Sequence, residues 1–384
     1  MPRDLPGPTT APATAAAGPD ILMLSAAHPP DDVRIVRREG AALAAAGFRV
    51  RHLCPARPGM PAACEGVEIA GYSRAPGWRG RIAAIPRLAR LAREAGARAI
   101  HAHEPDAWLA GWLARPPRLI LDVHEHYPSR LDARLPRLLR PFARGAIWLF
   151  CRMLAARADA VVLAKDGLGS PFGRGSIAVR NYAPDPGVPP RRHGPGPLRL
   201  LHVGALSRAR GWPQMLEALR LCPPDTELVI AGRFTDGSEG AFLARAAELG
   251  LTGRIQLAGW LAPAELARLA AGCDVNLILF QPGVENHRLA LPHKLADGMW
   301  AGLPVIAPAF AEEVAAMVAS SGAGLLVDVT RPEAIAQAVH RLADPGLRQR
   351  LGDAARAAVQ TRYSWAGEAE RLVALYRGLL GGRR

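Results

Sequence analysis

The chain has 384 residues, more than twice the length of a typical domain, so two domains are expected, each with its own core. Hydrophobic residues at 49% and charged residues at 21% exclude global disorder, and five cysteines without a CxxC pair fit a reducing compartment and argue against a disulfide or zinc framework. The formal charge of +14 is almost all arginine, spread along the chain without a zinc-finger, basic-zipper or aromatic RNA motif, so a phosphorylated ligand or a membrane surface is the expected partner, not nucleic acid.

Residues 1–19 read as a disordered Pro/Ala/Thr leader and not as a signal peptide, because the first apolar run, Ile21 to Leu24, is only strand-sized. Strands are predicted at Ile21 to Ser25, Val50 to Leu53, Ala99 to Ala102, Leu119 to Val123 and Ala160 to Leu163, with helices at 34–46, 82–95 and 106–114. That alternation predicts a parallel α/β sheet. No apolar run approaches the roughly 20 residues that cross a bilayer; Gly145 to Ala156 is interrupted by Arg152. Asn181 to Pro197 carries six prolines and no periodicity, the composition of an irregular linker.

A second alternation follows. Strands are predicted at Leu198 to Val203, Glu227 to Ala231, Ile255 to Leu257, Val275 to Leu279 and Val305 to Ala307, and helices at 213–221, 240–249, 263–271 and 293–300. Ser364 to Leu380 reads as a terminal helix that crosses back to the first domain. The expected division is a leader at 1–19, an N-terminal Rossmann-like domain at 20–190, a C-terminal one at 191–363 and the terminal helix at 364–384. Ligands of such folds bind at the carboxyl ends of the strands, which points to a cleft between the domains.

Missing motifs narrow the chemistry. Neither lysine of the chain, Lys165 or Lys294, lies in a GxxxxGK[ST] loop, so Walker-type NTPases are out. Gly167, Gly169 and Gly173 are spaced one residue too long for the dinucleotide fingerprint. With no Asp-x-Asp anywhere, a diphosphate would have to be neutralised by protein cations and helix dipoles, so no metal is expected. The segment Asn286 to Pro304 reads NHRLALPHKLADGMWAGLP. Pro292 suits the first turn of a helix and Gly302 its end, which places Lys294 where backbone N–H groups point outward: an anion site in outline. Lys294 and Asp297 share a helix face, so one can meet a phosphate and the other ribose hydroxyls; an ordinary exposed ion pair is the alternative.

These residues resemble glycosyltransferase family four, the retaining enzymes of GT-B fold whose donor helix reads P-x-K-L-x-E-x-M-x-x-G-x-P. Here that is Pro292, Lys294, Leu295, Asp297, Met299, Gly302 and Pro304. His202 to Trp212 is similar to the family's strand-to-helix loop, with Arg210 as its cation and Arg208 beside it. HPPDDVRI (His28 to Ile35), HAHEPD (His101 to Asp106) and DVHEHYP (Asp122 to Pro128) resemble the opening half of the same subgroup. The resemblance implies two Rossmann-like parallel-sheet domains facing across a cleft. It implies donor contacts from Gly204, Arg208, Arg210, Gly232, Trp260, Leu261, Asn286, Pro292, Lys294, Leu295 and Asp297, and acceptor-side contacts from His28, Asp32, His103 and Glu125. His124, Arg210 and Lys294 would carry catalysis. The sequence departs from the family where its acidic pair, eight residues apart, becomes Leu289 and Asp297, and where the arginine after the loop glycine becomes Ala205.

Two further patterns compete for attention. His101/His103 and His124/His126 form two HxH pairs at strand ends, which a metallohydrolase would use, although the Pro-rich break speaks against the eightfold repeat of such barrels. Arg130, Arg134, Arg137, Arg140 and Arg144 recur at spacings of four and three among leucines, a basic amphipathic surface suited to an anionic bilayer. The expected function is transfer of a sugar from a UDP- or GDP-linked donor, with no other cofactor, to a saccharide or lipid-linked acceptor in cell-surface polysaccharide or glycoconjugate synthesis. The expected place is the cytoplasm, at the inner face of the membrane. A nucleotide-sugar epimerase or hydrolase, or a silent nucleotide-sugar-binding subunit, is the alternative.

Overall fold

The computed structural model describes residues 18–173 and 175–381. The expected leader, up to residue 17, and the last three residues of the expected terminal segment lie outside them.

The first sheet contains β1 (Ile21–Leu24), β2 (Val50–Pro55), β3 (Ala63–Cys64), β4 (Val67–Tyr72), β5 (Ala99–Ala102), β6 (Arg118–Val123), β7 (Ala160–Leu163) and β8 (Ser176–Ala178), in the order β3-β4-β2-β1-β5-β6-β7-β8. The described pairings are parallel except for the short β3–β4 hairpin. Strand β1 is apolar at every position and fully buried, as a central parallel strand covered on both faces must be. Its helices are α1 (Ala41–Ala45), entered through a π-helical turn at Ile35–Gly40, then α2 (Gly77–Glu94), α3 (Pro105–Ala114) and α4 (Arg140–Ala155).

The second sheet is wholly parallel: β9 (Arg199–Leu206), β10 (Glu227–Phe234), β11 (Ile255–Leu257), β12 (Val275–Leu277), β13 (Val305–Pro308) and β14 (Gly324–Val327), in the order β11-β10-β9-β12-β13-β14. Its helices are α5 (Trp212–Leu221), α6 (Glu239–Glu248), α7 (Pro263–Ala271), α8 (Glu285–Arg288), α9 (His293–Trp300), α10 (Glu312–Ser321), α11 (Pro332–Arg341) and α12 (Pro345–Thr361). One apolar layer gathers Leu216, Ile230, Phe242 and Ile335, and the opposite layer gathers Ile278, Leu295, Met299 and Val314. The result is two doubly wound α/β sheets.

Contacts divide the described chain into two compact units. One holds the chain through Leu121, with Arg157–Asp159 and the chain from Tyr376; the other holds Asp122–Ala156 and Ala160–Leu375. The final helix, α13 (Trp365–Gly381), contributes to each. Its start ties down the second unit through Glu368, which accepts from Arg180. Its end lies in the first unit, where Tyr376 is fully buried against Phe48 and His101 and the Arg98 guanidinium donates to Leu380 O. The Pro-rich stretch at 181–197 has no regular structure yet is held in place. Ala183 O accepts from the Trp300 indole at 3.0 Å and Arg191 N–H donates to Ala301 O at 2.8 Å.

Candidate active site

In the second sheet the strand order reverses between β9 and β12, and the loops that leave their carboxyl ends diverge there, the usual ligand position of an open α/β sheet. The loop after β9 brings Arg210. Its entry into α5 turns at Gly211 in the left-handed region, at φ +86°, and a Cβ there would sit 2.1 Å from Leu279 O, so no other residue fits. The segment after β12 brings Asn286, His287 and then α9. Pro292 is the residue before α9 and not inside its first turn, so Lys294 is the helix's second residue, among the free N–H groups of its start. Gly302, at φ +72°, ends the helix, with Leu303 N–H returning to Gly298 O at 3.0 Å.

The electrostatics of this loop pair are unusual. Lys294 is 7% exposed, yet its ammonium has no hydrogen bond or ion pair with any described residue. Burial, reinforced by the neighbouring Arg210 charge, pushes its pKa down to about 7. Burial lowers Arg210 too, with Glu125 opposing, and its guanidinium is equally without a described partner. His202, fully buried, is held neutral by burial and by the same two cations. A protein keeps buried charges unpaired at a cost of several kcal/mol, which a dianionic ligand placed between them would remove.

Other expected donor contacts divide into three kinds. Gly232 lies where a Cβ would overlap Gly204 O at 1.8 Å, so the two glycines let β9 and β10 meet closely. Arg208 lays its guanidinium over the Trp212 ring at 4.8 Å, and Arg233 does the same over the exposed Trp260 beside Leu261. Asn286 Oδ1 accepts the His126 N–H at 2.8 Å, and Asp297 stands half-buried one turn from Lys294. Leu295 differs from expectation. Its side chain is 1% exposed in the apolar core and its N–H is spent on Pro292 O, so it supports the helix and offers a ligand nothing.

Sequence reasoning passed over Lys165, which follows β7 and is 6% exposed, again with no described partner for its ammonium. Its loop meets the second sheet's elements: Gly167 N–H donates to Glu313 Oε1 at 2.8 Å, and a Cβ on Gly167 would lie 3.0 Å from Leu289 Cδ2. His287, whose Nδ1–H donates to Gln281 O at 2.7 Å, feels Arg210, Lys294 and Lys165 together. The two lysines of the chain are thus both buried and both unpaired in one neighbourhood. Their rarity among 48 basic residues was the available signal.

His124 is 14% exposed and its Nε2 lies 2.6 Å from Asp122 Oδ2, a contact that fixes the ring. Beside it Glu125 is paired with Arg130. On the expected acceptor side, His28 Nδ1 meets Asp32 at 2.9 Å and its Nε2 lies 3.4 Å from Glu104. Asp32 also accepts the N–H groups of Arg34 and Ile35, so its carboxylate organises the turn into the π-helical segment. The assignment of His103 to the acceptor side needs correcting: it is fully buried, its ring stacked on His101 at 4.7 Å, out of an acceptor's reach. His101, His103 and Glu39 bring ligand atoms within 4.8 Å of one another, but the Arg34 guanidinium, 2.7 Å from Glu39, occupies that carboxylate with a fixed positive charge. The second HxH pair is split, since His126 Nδ1 bonds to Ser129 Oγ and not towards His124.

The basic surface also changes on inspection. Arg144 is paired with Asp132, Arg130 with Glu125, and Arg140 donates to Leu135 O at 3.1 Å, which leaves Arg134 and Arg137 exposed and without a partner among the described residues. Beside them Leu138 is 85% and Phe142 77% exposed.

Residues 33–174 match a model described as glycosyl transferase 4-like domain, and residues 190–358 match the model of glycosyl transferases group 1. A search of curated protein sequences finds no match. Among solved structures, sucrose-phosphate synthase from Thermosynechococcus elongatus is similar at 20% identity and TM-score 0.73, over 94% of this chain and 99% of that one. Anabaena HepE in complex with UDP-glucose is similar at 16% identity and TM-score 0.70, over 94% and 100%. WaaG, a glycosyltransferase involved in lipopolysaccharide biosynthesis, is similar at 18% identity and TM-score 0.67, over 94% and 100%. With one glycosyltransferase model on each half, on two parallel α/β sheets, the chain is a glycosyltransferase of the GT-B fold.

Proposed function

We propose that this enzyme is a metal-independent, retaining hexosyltransferase of family four that uses a UDP- or GDP-linked sugar and a saccharide or lipid-linked acceptor in cell-surface polysaccharide or glycoconjugate synthesis. The observation that carries the reading is Lys294, buried without a counter-ion at the start of α9 beside the equally unpaired Arg210. Cleaving the anomeric C–O bond puts negative charge on the departing diphosphate, and two pre-placed cations with a helix N-terminus stabilise that charge as it develops. Asp297 holds the ribose, and His124, fixed by Asp122, orients the sugar or the acceptor hydroxyl. The leaving phosphate takes the hydroxyl proton on the same face, which retains the configuration. The UDP and UDP-glucose complexes of HepE favour uridine as the base.

The test is turnover of a nucleotide-sugar panel by the full chain, with and without exhaustive chelation, and proton NMR of the product anomer. Lys294→Ala should lower turnover by about two orders of magnitude while the fold persists. Turnover unaffected by Lys294→Ala, lost on chelation, or giving the inverted anomer would each remove the corresponding part of the proposal. The exposed Arg134, Arg137, Leu138 and Phe142 support a second part: the enzyme works at the cytoplasmic face of a membrane, peripherally bound to anionic lipid.

A further inference from the structure

The diphosphate reading uses Arg210 and Lys294 and leaves one buried cation unexplained. Lys165 sits at the carboxyl end of β7, 6% exposed, with no hydrogen bond or ion pair to any described residue. Glu313 and Glu125 act on it electrostatically without closing onto it. Glu313 is engaged instead by the Gly167 N–H at 2.8 Å, and Glu125 by Arg130. Leu289, buried at 5%, borders the same loop, 3.0 Å from where a Cβ on Gly167 would lie. Leu289 stands where the resembled family carries the first of its two acidic residues. Leu289 is uncharged and so does not repel an anion there, and the Lys165 ammonium, without a described partner, attracts one. His287 feels the charges of Arg210, Lys294 and Lys165 together.

We propose that Lys165 binds a third negative charge carried by a saccharide, so that one substrate of this enzyme is an acidic sugar bearing a carboxylate or a phosphate. The proposal rests on the glycosyl-transfer reading and assigns the class of sugar that the reading leaves open. The acidic group belongs either to the donor's sugar, as in a nucleoside diphosphate uronic acid, or to the acceptor. In both cases the same ammonium supplies the counter-charge and Leu289 the uncharged wall. The lysine is a binding residue that discriminates between substrates; the leaving group departs elsewhere, between Arg210 and Lys294.

The experiment is calorimetric titration of the full chain and its Lys165→Met and Lys165→Arg variants with UDP, UDP-glucose and UDP-glucuronate, then, with UDP bound, with glucuronate and glucose 1-phosphate. A donor-borne acid predicts that wild type prefers UDP-glucuronate to UDP-glucose by about 10- to 100-fold, the value of one charge-assisted hydrogen bond. An acceptor-borne acid predicts instead that glucuronate or glucose 1-phosphate binds the UDP complex. In either arm Lys165→Met abolishes the preference, Lys165→Arg keeps part of it, and UDP itself binds all three proteins within about twofold. Thermal melting adds an independent reading. Replacing an unpaired buried ammonium by an apolar side chain of similar length should raise the Tm, whereas a structural lysine would lower it. Equal loss of UDP affinity in Lys165→Met, or no acid preference in any arm, or a lowered Tm, overturns the proposal. A wild-type chain that binds no UDP defeats the transferase reading, and titration of glucuronate and glucose 1-phosphate into the free wild-type and Lys165→Met chains then decides the role of Lys165.

Discussion

Lys294 shows how one residue can couple ligand, proton and stability. Its folded-state pKa of about 7 lies below the ordinary 10.5, so between these values the unfolded chain holds a proton that the folded chain has released. Stability without ligand should therefore rise as pH is raised from about 7 towards 10, the window in which the unfolded state binds more protons. A bound diphosphate favours the charged ammonium and returns the proton. We predict that UDP binding at pH 8 takes up a proton, read as a dependence of the binding heat on the buffer's ionisation enthalpy. Its affinity should fall by up to about tenfold per pH unit above 7. In Lys294→Met both trends should vanish. A flat affinity between pH 7 and 9 with no proton uptake in the wild type would place the diphosphate elsewhere.

At the scale of elements, the site depends on two left-handed glycines, Gly204 within β9 and Gly211 at the entry to α5. Gly211 combines φ +86° with a backbone carbonyl 2.1 Å from the position of a Cβ, while Gly204 has φ +87° and open space around it. Gly204→Ala should cost about 1–2 kcal/mol, the price of the left-handed conformation alone. Gly211→Ala should cost roughly 3 kcal/mol or more and displace Arg210, so that urea midpoints separate the two and UDP affinity falls mainly in the latter. Equal midpoints would mean that the Leu279 carbonyl moves aside freely. Elements of this kind were legible where the chemistry is local. β1 and β7 announce themselves as continuous apolar runs, and α9 by its Pro292 to Gly302 frame. The helices α10, α11 and α12 and strand β14 are absent from the sequence reading, although α11 buries Ile335, Ala338 and Val339 at helical spacing; β14 is only four residues long, and alanine softens the apolar faces of α10 and α12. The π-helical turn before α1 was hidden for a different reason, since its spacing mimics an ordinary helix start. Lys294 was singled out by its Pro292 to Gly302 frame, and Arg210 by the resemblance of the loop that carries it. Lys165 was not, because its burial without a described partner arises only in the fold, where the loop after β7 meets Glu313 of α10. His103 was assigned to the acceptor side by resemblance alone, and its complete burial with its ring stacked on His101 arises only in the fold.

At the scale of the whole molecule, a charge of +14 acquires direction from what surrounds it. Helix α4 carries no acidic residue, and it is apolar on two sides: Cys151 and Leu154 are buried, while Phe142, Leu149 and Met153 are exposed at helical spacings, preceded by Leu138. An ordinary surface helix presents polar groups on its outer face, so an apolar outer stripe flanked by exposed Arg134 and Arg137 fits the boundary between lipid headgroups and acyl chains. Self-association through this face would set arginine against arginine across a twofold axis, which like-charge repulsion opposes. We predict that the protein sediments with vesicles rich in phosphatidylglycerol and not with phosphatidylcholine alone, and that salt releases it as Coulomb attraction is screened over about 10 Å at 0.1 M. Arg134→Glu with Arg137→Glu should weaken binding at low salt by about 30-fold or more, at roughly 1 kcal/mol per cation removed. Phe142→Asp with Leu138→Asp should weaken it at every salt concentration, because burial of apolar area at about 25 cal/mol per Å² is not screened. Unchanged binding in both double variants would move the contact to another surface. A wild-type dimer by light scattering that Phe142→Asp dissociates, with no lipid dependence, would assign the stripe to a second copy of the chain instead.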